Sequence, residues 1–212
     1  LTVVTQKTAG HAAEIYNYYK EQGWKYQQYI ACLDPLGEDR GKTPYALNPE
    51  QYGMFLTELF NLWYEDWKKG EQPYIRQFEN YIGILLGYQP ESCEQRGSCG
   101  TQNVVEADGS VYPCDFYALD EYKLGNFNCN RLEEIDKKRK EIAFVEQSQI
   151  VAENCKNCKF YKICKGGCRR NKDFNAMNGE YENYFCKSYR IFFDICLERM
   201  IQIVEIIKNQ KG

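Results

Sequence analysis

The 212-residue chain has one histidine, and that scarcity excludes more chemistry than any other feature of its composition. His11 alone cannot build an imidazole-rich metal site. A Ser-His-Asp or Cys-His nucleophile would have to use this residue, which stands at a predicted helix start with no partner nearby in sequence. His11 therefore reads as a surface residue. No apolar run approaches the roughly 20 residues that span a bilayer. The chain opens on Leu1 to Thr5 (Leu-Thr-Val-Val-Thr), not on a charged and then apolar leader. It reads as soluble, unsecreted and cytoplasmic, with no membrane partner. An excess of one charge is also missing: 27 basic residues face 30 acidic ones, a formal charge of -3 that gives no global attraction to nucleic acid. Phosphate-binding glycine loops and repeats of solenoid length are absent as well.

What the chain does have is apolar substance and sulfur. At 43% hydrophobic and 15% aromatic residues it can build a core, which excludes intrinsic disorder and leaves room for one large domain or two modest ones. Eleven cysteines stand beside the single histidine. An odd count suits a disulfide framework poorly, so any metal here is expected to be held by thiolates.

Along the chain the texture is α/β. The β-branched opening, Leu1 to Thr5, predicts a buried strand; Thr8 is the expected N-cap of a helix carrying Ala12, Ile15, Tyr16 and Tyr19; Gly23 ends it. Tyr26 to Leu33 predicts a second strand, completing a unit that makes parallel sheets. A strand-first opening without an initiator Met suggests the later part of something longer. After a loop over 34–46, Asn48-Pro49-Glu50-Gln51 supplies an N-cap, a proline at the first helical position and a capping-box partner. Tyr52, Phe55, Leu56, Leu59, Phe60, Trp63 and Trp67 then share one helical face, and a second helix is expected from Tyr74 to Leu86. Gly87 and Pro90 mark a domain junction, with units at 1–88, 89–190 and a terminal helix at 191–212. Within the second unit, two short β runs flank the Asp108-Gly109 turn signal, and Arg131 to Lys140 predicts a surface helix. Tyr189, Phe192, Phe193, Cys196, Met200, Ile203 and Ile207 define the amphipathic last helix.

The densest feature is Cys155-x2-Cys158-x5-Cys164-x3-Cys168, followed by Cys186 and preceded by Cys93, Cys99 and Cys114. Eight thiolates divide into two four-sulfur sites, each able to hold a 4Fe-4S cluster or a structural zinc. Cys32, Cys129 and Cys196 remain, two of them in predicted core elements where cysteine behaves as a small hydrophobe. From Lys156 to Arg170 there are six basic residues and no acidic one, which suits an anionic cluster. The same run could belong to a zinc knuckle on nucleic acid. The acidic overall balance and a lone aromatic pair, Phe160 and Tyr161, weigh against that.

These residues carry a family resemblance. Cys99-x9-Gly109-x4-Cys114, the Cys155 to Cys168 motif and Cys186 resemble the SPASM domain of radical S-adenosylmethionine enzymes at every spacing. Within that family the chain is similar to the anaerobic sulfatase-maturating enzymes, through Cys93-Glu-Gln-Arg-Gly-Ser-Cys99, Asp108-Gly-Ser-Val-Tyr-Pro-Cys-Asp-Phe-Tyr117, Leu124-Gly-Asn126 and Cys164-Lys-Gly-Gly-Cys168. The resemblance implies an α/β fold: the later part of a partial (βα)6 radical-enzyme barrel, then a small α+β SPASM domain holding two auxiliary 4Fe-4S clusters, then the last helix.

It further implies that Cys93, Cys99, Cys114 and Cys168 ligate the first cluster, and Cys155, Cys158, Cys164 and Cys186 the second. From spacing alone Asp115 is a turn aspartate. By resemblance it is the base that takes a proton from a cysteine or serine of a sulfatase peptide. A 5'-deoxyadenosyl radical removes the Cβ hydrogen there, and the product is Cα-formylglycine. Val3 and Leu33, at strand ends, are the expected contacts of S-adenosylmethionine. A ferredoxin or flavodoxin is the expected electron donor. The family's C-x3-C-x2-C motif, which holds the third cluster, is not in this stretch, so this segment alone should be inactive. Alternatives are another SPASM peptide maturase, forming thioethers or crosslinks, and a zinc-stabilised binding module without catalysis.

Cys168→Ala is expected to lose iron and destabilise the fold, whereas Cys196→Ser leaves iron content unchanged. Anaerobic iron assays of the two variants check this, and equal loss in both contradicts the division into ligands and bystanders.

Overall fold

The computed structural model describes residues 1–177 and 179–210. Strand β1 (Thr2–Val4) leads through a turn to helix α1 (Ala12–Glu21), then to two short strands, β2 (Tyr26–Gln27) and β3 (Tyr29–Ala31). Thr8 does not cap α1. It closes the preceding turn by accepting from the Thr5 backbone N–H at 2.8 Å, and the helix starts behind His11 instead. His11 is exposed and pairs with Glu14, three residues on, at 3.0 Å.

Helix α2 (Pro49–Trp67) begins as its sequence dictates, with Asn48 Oδ1 accepting from the Glu50 N–H at 2.8 Å and proline at the first position. The expected capping box stays open, because Gln51 Oε1 has no hydrogen-bond partner among the described residues. After α2 come β4 (Tyr74–Ile75) and α3 (Arg76–Leu85).

All the pairing in this half is parallel: β1 with β3, register Val3 to Ile30, and β2 with β4, register Gln27 to Ile75. The strand expected over Tyr26 to Leu33 is thus interrupted at Gln28, and the helix expected from Tyr74 is a strand for its first two residues. The pairing changes at both places: Tyr26 and Gln27 pair with Tyr74 and Ile75, whereas Tyr29 to Ala31 pair with β1. Gln77, in the first turn of α3, accepts from the Tyr29 N–H at 3.3 Å and donates to the Tyr29 carbonyl.

The cysteine-rich half is built from short pieces: α4 (Cys93–Arg96), β5 (Val104–Val105), β6 (Ser110–Tyr112), β7 (Gly125–Asn126), α5 (Leu132–Glu141) and α6 (Phe144–Ser148). Then follow α7 (Glu153–Lys156), α8 (Tyr161–Cys164), β8 (Lys172–Asn175), β9 (Glu180–Asn183) and the long α9 (Cys186–Gln210). The expected hairpin pairs Val105 with Val111, and β7 adds a third strand on β6. Helix α9 starts at Cys186, earlier than the expected boundary at 191, because its first turn is already packed: Ser188 is buried and its hydroxyl donates to the Pro49 carbonyl at 2.5 Å.

The main core lies where α9 crosses α2 and α3. Phe60 meets Phe78 edge-on at 5.2 Å, Phe78 stacks on Phe192 at 5.9 Å, and Tyr81 meets Phe193 at 5.0 Å. Gly53 makes the crossing that close: a Cβ there would stand 3.0 Å from the Ser188 backbone. Phe160 and Ile163, beside the cysteine motif, join the same cluster. The terminal helix therefore fastens the cysteine-rich half to the parallel strands.

A second fastening is polar. The loop after β3 folds around the buried Asp34 carboxylate, which accepts from the Gly41 N–H at 2.7 Å and from the Thr43 N–H and hydroxyl, both at 2.8 Å. Desolvation opposes the charge, but the Thr43 and Gly41 donors win and bring the carboxyl down to about 2. From that loop Arg40 reaches Asp173 with Nε at 2.8 Å and Nη2 at 2.6 Å, while Arg170 donates back to the Asp34 carbonyl.

Asp34→Asn is expected to cost about 1–3 kcal/mol in urea unfolding at neutral pH, since donors are left facing an amide. Because folding depresses this carboxyl, its contribution is complete above about pH 4 and is lost as the pH falls through about 2. The gap between wild type and variant should narrow over that window, and a pH-independent gap contradicts the assignment.

Candidate functional site

Two cavities divide the eight thiols. The first, about 860 Å³, is lined by Cys93, Cys99, Cys114 and Cys168 together with Val3, Leu33 and Asp115. The second, about 610 Å³, is lined by Cys155, Cys158, Cys164 and Cys186. Thiols that the sequence scatters from Cys93 to Cys186 thus gather at two cavities, and Cys32 joins the lining of the first.

The first cavity runs along β3 and the residues on either side of it, from Gln28 to Pro35, and takes in Leu1 and Val3 of the opening segment. Strand alternation sends Val3 to its wall while Val4 is fully buried in the core, and Leu33 follows two residues after β3. Asp115 begins a short 3-10 turn at Asp115–Tyr117, is exposed, and accepts from the Cys114 thiol at 3.2 Å. A Cys114 bound to iron would have no proton to give, which would leave that carboxylate available to another donor.

Only three residues separate Cys164 from Cys168, yet they face different cavities. The chain reverses between them through Lys165, which adopts φ 55, and two glycines, Gly166 and Gly167, with φ 82 and 72. Against this turn sits Gly97, which caps α4 at φ 72; a Cβ there would fall 2.5 Å from the Lys165 carbonyl oxygen. The loop between Cys93 and Cys99 is therefore pressed onto the turn between Cys164 and Cys168.

Burial works against these thiols ionising by themselves. It pushes Cys114 and Cys164 up to about 12, and nearby anions add to the effect, Asp115 at the first and Cys186 at the second. Cys168 is pushed higher still, by burial and then by Glu94. Cys93, Cys99, Cys155 and Cys186 are raised for the same leading reason, with Arg169 and Lys172 pulling Cys99 back and Arg190 pulling back Cys186. Sulfur donors packed this way fit a soft cationic group, whose charge would ionise them all.

The basic run from Lys156 to Arg170 is not one patch. Lys156 pairs with Glu153 at 3.0 Å and Lys159 with Asp194 at 2.6 Å. Arg169 lies over Phe144 at 4.4 Å and Tyr117 at 5.2 Å, and Arg170 is committed to Asp34. Of the remaining cysteines, Cys196 is buried in the core, Cys129 is exposed, and Cys32 lines the first cavity. Sequence reading missed Gly97 and the side chains between the cavities. The positive φ of Gly97 had a signal, a glycine inside a short Cys-to-Cys loop; the rest had none.

Comparison with known proteins agrees with this geometry. Residues 93–159 match the SPASM domain, an iron-sulfur cluster-binding domain. The chain is 45% identical over 208 residues to a cysteine-type anaerobic sulfatase-maturating enzyme of Clostridium perfringens, covering 98% of this chain and 56% of that protein. It is 28% identical to a serine-type anaerobic sulfatase-maturating enzyme of Bacteroides thetaiotaomicron, covering 100% of this chain and 55% of that one. A solved structure, native anSMEcpe with bound AdoMet and Cp18Cys peptide, superposes with a TM-score of 0.89 at 43% identity, over 97% of this chain and 57% of that one. The chain is a relative of the anaerobic sulfatase-maturating enzymes and spans about half their length.

Gly97→Ala is expected to cost about 1–3 kcal/mol through the left-handed backbone and to lower iron loading. Gly100→Ala, where the nearest atom is the end of the Arg96 side chain at 3.9 Å, should do neither. Thermal unfolding and iron assay separate the two, and equal behaviour contradicts the packing argument.

Proposed function

We propose that the chain is the C-terminal portion of a radical S-adenosylmethionine enzyme that oxidises a cysteine or serine of a sulfatase peptide to Cα-formylglycine. In this reading residues 1–88 are the later part of the barrel, 89–190 the SPASM domain and 191–212 the terminal helix. The observation that carries it is the first cavity, whose lining brings together Cys93, Cys99, Cys114 and Cys168, Val3 and Leu33, and the carboxylate of Asp115.

Cys93, Cys99, Cys114 and Cys168 would hold one auxiliary 4Fe-4S cluster, and Cys155, Cys158, Cys164 and Cys186 the other. Among the described residues no three His, Cys, Asp or Glu side chains converge on one metal-ion position. The match of residues 93–159 to an iron-sulfur cluster-binding domain supports a cluster over zinc. When bound, S-adenosylmethionine and the clusters supply hydrogen abstraction at Cβ and an acceptor for the second electron.

The residues of this chain do the rest. Val3 and Leu33 shape the nucleoside side of the cavity. Asp115 takes the thiol or hydroxyl proton, so the substrate loses one hydrogen atom, one proton and one electron in all. A cysteine substrate then releases hydrogen sulfide on hydrolysis. The 45% likeness to a cysteine-type enzyme, against 28% to a serine-type one, supports cysteine as the target. A ferredoxin or flavodoxin would be the electron donor.

In the full-length protein, Asp115→Asn is expected to keep its clusters and S-adenosylmethionine cleavage while formylglycine formation drops on the order of 10²–10⁴-fold. Mass spectrometry of a peptide substrate measures this. Full product yield from the variant rejects Asp115 as the base.

A further inference from the structure

Between the two cavities lies a carboxyl that neither set of thiols requires. Glu94 follows Cys93 on α4 and lines the first cavity. Its Oε1 accepts from the Tyr189 hydroxyl at 2.5 Å and from Asn171 Nδ2 at 3.4 Å. Tyr189 stands three residues after Cys186 on α9 and lines the second cavity; Asn171 stands three residues after Cys168. One oxygen is thus the meeting point of three segments, each with a cysteine next door or one turn away. Two of those cysteines, Cys93 and Cys168, line the first cavity, and the third, Cys186, lines the second.

We propose that Glu94 is a positioning residue that sets Cys93, and with it the first four-thiol site, by reference to the helix carrying a thiol of the second. The proposal rests on the cluster reading above and extends it. Helix α4 is a single turn of four residues, too short to hold itself in place. Its other ties include the Ser92 cap, 3.3 Å from the Glu94 N–H, the contact of Gly97 with Lys165, the buried Gln95 and the Arg96 guanidinium, which donates to the Pro90 carbonyl at 3.3 Å. A hydroxyl-to-carboxylate bond is among the stronger anchors available to it. A phenylalanine at 189 would remove that anchor alone, because the ring itself is packed against Tyr52 at 6.4 Å and Phe193 at 6.5 Å.

The test uses the full-length protein, loaded anaerobically with iron and sulfide, as wild type, Tyr189→Phe, Glu94→Gln and Glu94→Ala. Iron content is measured together with the reduction potential and electron paramagnetic resonance signal of the first centre, assigned by its loss in Cys99→Ser. Tyr189→Phe should keep full iron yet shift the potential and signal of that first centre, although Tyr189 adjoins a thiol of the other. Glu94→Ala should lose iron from the first site, and Glu94→Gln, which keeps the acceptor oxygen, should regain it. A loaded wild type beside a Tyr189→Phe protein with unchanged first-centre signal and potential overturns this proposal alone, as does full iron with a wild-type signal in Glu94→Ala. A wild type that binds no iron overturns the cluster reading and this proposal with it.

Discussion

Thiols in the two cavities are held where their own negative charge is least welcome. Burial lifts Cys114 and Cys164 to about 12, so one thiol of each set resists ionising at neutral pH. The fold positions the donors, and a bound cationic group would supply the charge balance that lets them ionise. That dependence links metal to folding, because the same cysteines sit on segments with little regular structure of their own. Helices α4, α7 and α8 have four residues each, and β5 and β7 have two.

Such short elements need a frame, and it comes from outside the cysteine-rich half. Helix α9 crosses α2 at Gly53, while Phe160 and Ile163 sink into the same aromatic core. On the other side Arg40 and Arg170 tie the loop after β3 to the segment following Cys168. These two fastenings bring the ends of β1 and β3 to the wall where Cys93, Cys99, Cys114 and Cys168 lie. Asp115 reaches the same cavity because it is covalently next to Cys114 at the end of a hairpin strand, so its position follows from that of a thiol.

Features governed by local rules were legible in the sequence. Asn48 and Pro49 announced α2, the Asp108-Gly109 turn announced the hairpin, and the spacings from Cys93 to Cys186 singled out eight cysteines, all of which line the two cavities. Features governed by tertiary contact were not. The switch of partners from β4 to β1 after Gln27 cuts one expected strand and delays one expected helix, and nothing near either segment in sequence signals it. Thr8 has the chemistry of an N-cap but finds Thr5 first. The meeting of Glu94, Asn171 and Tyr189 joins positions almost a hundred residues apart, and only the folded chain brings them together.

The proposed binding of iron-sulfur clusters by these eight thiols is read most plainly from metal analysis of the purified 212-residue chain. After anaerobic reconstitution a brown protein with about eight iron and eight acid-labile sulfide per chain is expected. A colourless protein holding about two zinc ions and no sulfide would contradict it.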